Sequence, residues 1–115
     1  MTLTDLLEKK CLPDVTALPA ADIDTLLTLT DSWHLAEGKI VRSFSCKNYY
    51  DTLSFINAIA YVIHAEDHHP ELVVTYNRCV VKFDTHSVND GRGGLSINDF
   101  ICAAKIDAIF QQSFS

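Results

Sequence analysis

The stretch Ala65-Glu66-Asp67-His68-His69-Pro70-Glu71 runs into Leu72-Val73-Val74-Thr75-Tyr76 and then, two residues on, into Cys79-Val80-Val81-Lys82-Phe83-Asp84-Thr85-His86. Pro70 marks the end of a helix, because the residue before a proline is driven to extended geometry. The two β-branched runs that follow read as strands. Asn77-Arg78 between them fits a two-residue turn, since Asn tolerates positive φ. In the second run Cys79, Val81, Phe83 and Thr85 share one face, so parity puts His86 with Lys82 and Asp84 outside the core. The hairpin returns the chain to its starting end, which brings His86 back toward His68 and His69. Three of the five histidines thus bracket one hairpin.

Working upstream, Asn48 is placed to cap a helix that runs to about Glu66. Leu53, Ile56, Ala60 and Ile63 form one apolar stripe of it, and Phe55, Ile59 and Val62 lie beside them. One stripe suffices to pack a helix on a sheet, so the second meets another subunit or lies deep in the core. Before it, Trp33–Ala36 and Lys39–Phe44 read as strands joined through Glu37-Gly38. Pro19-Ala20-Ala21-Asp22 opens a further helix carrying Ile23, Leu26 and Leu27, with acids in its first turn where the dipole favours them. Residues 1–18, interrupted by Pro13 and Pro19, read as an arm, and residues 19–115 as a single domain. Downstream, residues 87–95 form a glycine-rich loop able to close over a small ligand. Ser96 and Asp99 have capping-box spacing and open the last helix, which continues through Phe100 to Phe110. The order α-β-β-α-β-β-α implies an α+β fold, a four-stranded antiparallel sheet with three helices packed on one face.

A chain of 115 residues with 48% hydrophobic content is long enough to bury a core as one domain. Its net charge of -6 and scattered basic residues argue against a nucleic-acid surface. Residues 53–65, the longest uncharged apolar stretch, are too short to span a bilayer, and residues 1–10 mix acids and bases unlike a signal peptide. The four cysteines (Cys11, Cys46, Cys79, Cys102) form no Cys-x-x-Cys pair and read as reduced, inert core thiols of a cytoplasmic protein.

Clustered imidazoles have two chemical uses. With an unperturbed pKa of about 6.5, two of them in opposite protonation states can eliminate water from a substrate, one protonating the leaving hydroxyl and the other taking the neighbouring proton. Alternatively, His64, His68 and His86 could ligate a metal if the helix reaches His68, placing His64 and His68 four apart on one face. The pattern of residues alone leaves both open.

Asp67-His68-His69-Pro70-Glu71, Tyr76-Asn77, Thr85-His86, Gly94-Leu95-Ser96 and Asp99 resemble the motifs of the pterin-4a-carbinolamine dehydratase family, over roughly residues 20–110. Trp33, Phe44 and Asn57-Ala58-Ile59-Ala60 fit as well. The resemblance implies dehydration of a 4a-hydroxytetrahydropterin to a quinonoid dihydropterin, in the recycling of a tetrahydropterin cofactor. No metal or organic cofactor is implied. It implies His68 and His86 as the catalytic pair, with His69 and Asp99 binding the substrate, and a homodimer or homotetramer as the assembly. The same family resemblance admits a non-catalytic dimerisation or scaffold protein. The segment between Thr85-His86 and Gly94-Leu95 is longer than usual in that family, and Arg92 within it is placed to reach a substrate.

Overall fold

The computed structural model describes residues 1–115. Its elements, in order, are α1 (Leu3–Glu8), α2 (Ala20–Leu29), β1 (His34–Ala36), β2 (Lys39–Ser45), α3 (Tyr49–Glu66), β3 (Glu71–Thr75), β4 (Arg78–Phe83) and α4 (Ile97–Ser113). The strands form one antiparallel sheet in the order β1-β2-β4-β3. The α+β architecture and the central element order agree with expectation; the additional helix, α1, lies in the arm.

Local chemistry explains the boundaries. At the β1–β2 turn Glu37 and Gly38 both have positive φ, 54° and 78°, the requirement of a type I′ hairpin loop. The Asn48 side chain accepts the Asp51 N–H at 2.9 Å and starts α3. At its other end Asp67 is left-handed, with φ 50°, and the following N–H, that of His68, bonds Ile63 O at 3.4 Å. This Schellman-type closure stops the helix before Pro70 and turns successive histidines in different directions. The β3–β4 turn falls one residue earlier than expected. Thr75 pairs with Arg78, leaving Tyr76-Asn77 as the loop, and neither has positive φ. Tertiary contacts hold that turn instead: Thr52 Oγ1 donates to Tyr76 O at 3.1 Å and Cys46 N to Asn77 O at 2.8 Å.

Ile40 and Phe44 of β2 with Cys79, Val81 and Phe83 of β4 form the inner sheet face, and Thr52, Phe55, Ile59 and Val62 are the buried stripe of α3. Phe44 and Phe55 meet at 4.7 Å between ring centroids. Of the other stripe, Ile56 and Ile63 are half-buried and pack on the edge of the core, and Leu53 and Ala60 are exposed.

The first half of α4 is buried all round, from Asn98 to Ala104, because the arm covers its far side. Leu6 of α1 is fully buried there, and burying a leucine contributes about 1.5–3 kcal/mol. A Thr2–Asp5 capping box starts α1. That pattern and the spacing of Leu3, Leu6 and Leu7 were the available signals for a helix in the arm.

Candidate active site

Between the end of α3, the end of β4 and the start of α4 lies a cleft of about 390 Å³. It is lined by His68, His69 and His86, so the three expected histidines do meet. They meet in unlike settings. The His68 side chain is 11% exposed, and those of His69 and His86 are 74% and 84% exposed. The left-handed Asp67 causes the first difference, since it sends His68 inward and leaves His69 at the rim. Strand parity causes the second, putting His86 on the side opposite Phe83 and Thr85.

His68 is held on two sides. Its ring stacks on Phe83 with centroids 5.6 Å apart and planes within 4°. Its Nε2 lies 2.6 Å from Asp99 Oδ1. Asp99 is fully buried, and its other oxygen accepts the Ser96 N–H at 2.9 Å and the Thr85 hydroxyl at 2.9 Å. Because Thr85 gives its single proton to the carboxylate, the Ser96 hydroxyl must donate to Thr85 Oγ1, 2.7 Å away. Ser96 Oγ in turn accepts the Asn98 N–H at 3.2 Å. A carboxylate already taking two donors on Oδ2 calls for a third on Oδ1, so His68 carries its proton on Nε2. Nδ1, which bears the lone pair, is left to the cleft. No buried side-chain polar atom lacks a partner. Asp99 is thus both the capping acid expected and the residue that fixes the tautomer of His68. It does not itself line the cleft and touches it through His68.

At the mouth, His69 Nε2 is 3.3 Å from Asp67 Oδ1, and His86 Nε2 is 3.5 Å from Asp84 Oδ1. Asp84 also lies 3.9 Å from Lys39 Nζ. These pairs are loose and solvated, and they leave both imidazoles free to turn toward a ligand.

Three expectations change here. Helix α3 ends at Glu66, so His64 and His68 do not share a helical face, and no group of three or more His, Cys, Asp or Glu side chains is arranged to hold a metal ion. The His64–His68–His86 ligand set therefore has no geometric basis. The glycine-rich loop does not cover the cleft; only Ser87 of it contributes. An isolated bridge between Thr85 and Gly94 pinches off the loop, and Arg92 Nε folds back on Asn89 O at 3.1 Å. A Cβ at Gly94 would stand 2.7 Å from Asn89 Nδ2, so a larger residue at that pinch would push the Asn89 side chain aside. Finally, Leu12, Pro13 and Val15 of the arm line the cleft, which the sequence did not disclose. Burial pushes the Cys79 thiol up to about 11, and a hydrogen bond with Cys11, together with burial, pushes Cys102 up as well.

The pattern of the family described as pterin 4 alpha carbinolamine dehydratase matches residues 16–109. A Bdellovibrio bacteriovorus protein provisionally named pterin-4-alpha-carbinolamine dehydratase is 57% identical over 115 residues, covering 100% of this chain and 96% of its own. A Nitrosospira multiformis protein with the same provisional name is 47% identical over 113 residues, covering 96% of each. The crystal structure of a transcriptional coactivator/pterin dehydratase from Brucella melitensis superposes with a TM-score of 0.73 at 30% identity, covering 81% of this chain and 97% of that one. With the fold and nearly the whole domain in agreement, the chain belongs to the pterin-4a-carbinolamine dehydratase family.

Proposed function

We propose that the protein dehydrates a 4a-hydroxytetrahydropterin to a quinonoid dihydropterin and water by histidine acid/base catalysis, serving the recycling of a tetrahydropterin cofactor. The observation that carries this reading is the pairing, across one cleft, of a tautomer-locked imidazole with solvated ones. His68, protonated on Nε2 by its bond to Asp99, offers Nδ1 as the base that takes the N5 proton. His86 in its imidazolium form, with Asp84 3.5 Å from its Nε2, gives a proton to the 4a-hydroxyl. The C4a–O bond breaks as the C4a–N5 double bond forms, and water leaves. Both imidazoles regain their starting forms by exchange with solvent, so the step balances on proton transfer and the reading calls for no cofactor. His69, at the rim, orients the pterin.

The reading includes self-association as a dimer or tetramer. Tyr50, Leu53 and Tyr61 stay exposed on the outer face of α3, and β3 is an edge strand with exposed Val73 and Val74. A monomer in sedimentation analysis would remove that part. No helix is long and apolar enough to cross a membrane. Four free cysteines fit the reducing cytoplasm that the reading assumes.

The deciding experiment generates the 4a-hydroxytetrahydropterin in situ with a hydroxylase and follows its loss with wild type and with His86→Ala. Acceleration by wild type that the variant loses supports the reading. No acceleration by folded wild type would sink it and leave a binding or scaffold role.

A further inference from the structure

We infer that residues Leu12–Val15 of the N-terminal arm are part of the substrate site, forming the apolar wall against which one face of the pterin ring lies, and that Asn98 is the residue that positions them. The inference deepens the dehydratase reading and rests on it.

The cleft is chemically two-sided. Every apolar side chain lining it comes from the arm: Leu12, Pro13 and Val15. The other lining side chains are all polar, the three histidines among them. A pterin is itself two-sided, with flat apolar ring faces and a perimeter of nitrogens and oxygens. A purely polar cleft would hold the perimeter and leave the faces in water. The arm supplies the missing surface.

The arm is also fixed in place by polar side chains of α3 and α4. Asn98 uses both ends of its amide on Leu12, accepting its N–H on Oδ1 at 3.1 Å and donating Nδ2 to its carbonyl at 2.9 Å. One residue earlier, the Cys11 N–H donates to Glu66 Oε1 at 2.8 Å, and Lys105 Nζ holds the other oxygen of Glu66 at 2.9 Å. At the far end Leu18 N donates to Leu95 O at 2.8 Å. The strap thus passes beside the site clamped at both ends, yet Leu12 remains 59% exposed. An apolar side chain so exposed adds little to folding. It is placed where it would be covered once a ring occupied the cleft. The segment lies before residue 16, where the match to the family pattern begins.

The test uses the triple substitution Leu12→Ala, Pro13→Ala, Val15→Ala in the full chain, which removes the wall and keeps the backbone clamps. Binding is read by calorimetric titration with 7,8-dihydrobiopterin, a pterin with no 4a-hydroxyl to lose, and turnover by the dehydration assay. The expected result is a Kd and KM raised about tenfold or more, with kcat within about twofold and the melting temperature unchanged. Asn98→Ala, which frees the strap but keeps its side chains, should raise KM in the same direction. Wild-type binding that the triple variant matches would overturn this inference and leave the dehydratase reading standing. So would a fall in kcat at constant KM, which would make the strap part of the chemical step. A wild type that neither binds the pterin nor accelerates dehydration would overturn the dehydratase reading, and this inference with it.

Discussion

Behind His68 the site is dry and fully bonded, whereas at its mouth His69 and His86 stand in solvent with only loose carboxylate neighbours. The back is a chain of short contacts, from His68 to Asp99 at 2.6 Å and from Thr85 to Ser96 at 2.7 Å, closed on the first turn of α4. The mouth has separations of 3.3 and 3.5 Å between the exposed imidazoles and their carboxylates. A buried, saturated network holds one proton arrangement and cannot adapt; a solvated pair can exchange protons and turn, at little cost to stability. The division suits an elimination that needs one base of fixed tautomer and one acid recharged by water in every cycle.

The sharpest way to break this contrast is Asp99→Asn. The amide keeps the shape of the carboxylate but turns a donor toward the network, forcing His68 to the other tautomer. We expect kcat to fall by about 10²–10⁴-fold, the range that a misplaced imidazole proton costs elsewhere, together with a loss of about 1–3 kcal/mol from the buried network. Nitrogen NMR of His68 would report the tautomer directly, and an unchanged one would refute the account. At the mouth, His86→Ala should lower kcat by about 10²-fold while stability stays within about 0.5 kcal/mol. Urea unfolding beside the dehydration assay separates the two effects, and a large stability loss would show that the mouth is structural after all.

Glu66 tests the clamp on the arm. Burial raises its pKa, but the Cys11 N–H and Lys105 outweigh it and hold the carboxylate below its ordinary value of 4.5. A depressed folded pKa contributes stability that is present above the unfolded value and lost as pH falls through the folded one. Glu66→Gln should therefore cost on the order of 1–2 kcal/mol at neutral pH. The gap to wild type should close as pH drops below 4.5. Melting curves across pH would show it, and a gap independent of pH would exclude the charge as its cause. Smallest of all, Arg92→Ala should leave KM unchanged and stability within about 0.5 kcal/mol, because Arg92 is turned onto its own loop. A raised KM would return the loop to the site.

Much of the molecule was legible in one dimension because its cues are local. Asn48 and Pro70 bound α3, Glu37-Gly38 specifies a primed turn, Ser96 and Asp99 open α4, and the alternation through Cys79, Val81, Phe83 and Thr85 fixes which way His86 faces. Each rests on a few neighbouring residues and backbone sterics. The β3–β4 turn slipped by a residue because Tyr76 and Asn77 are held by Thr52 and Cys46, distant in sequence. The glycine-rich loop is long enough to reach the cleft, but a bridge between Thr85 and Gly94 folds it away.

Element order, the capping acid and the gathering of three histidines near one hairpin end follow from local pattern alone. It took the packing of distant elements to put Asp99 behind His68, to bury His68 and not its neighbour, and to bring the arm to the cleft. Those outcomes depend on a left-handed turn at Asp67 and on α4 seating its first turn against β4. They depend equally on Asn98 capturing a backbone far away in the chain. Contacts of that kind have no periodicity to read. They exist only once burial has brought the groups together and every polar atom among them must find a partner.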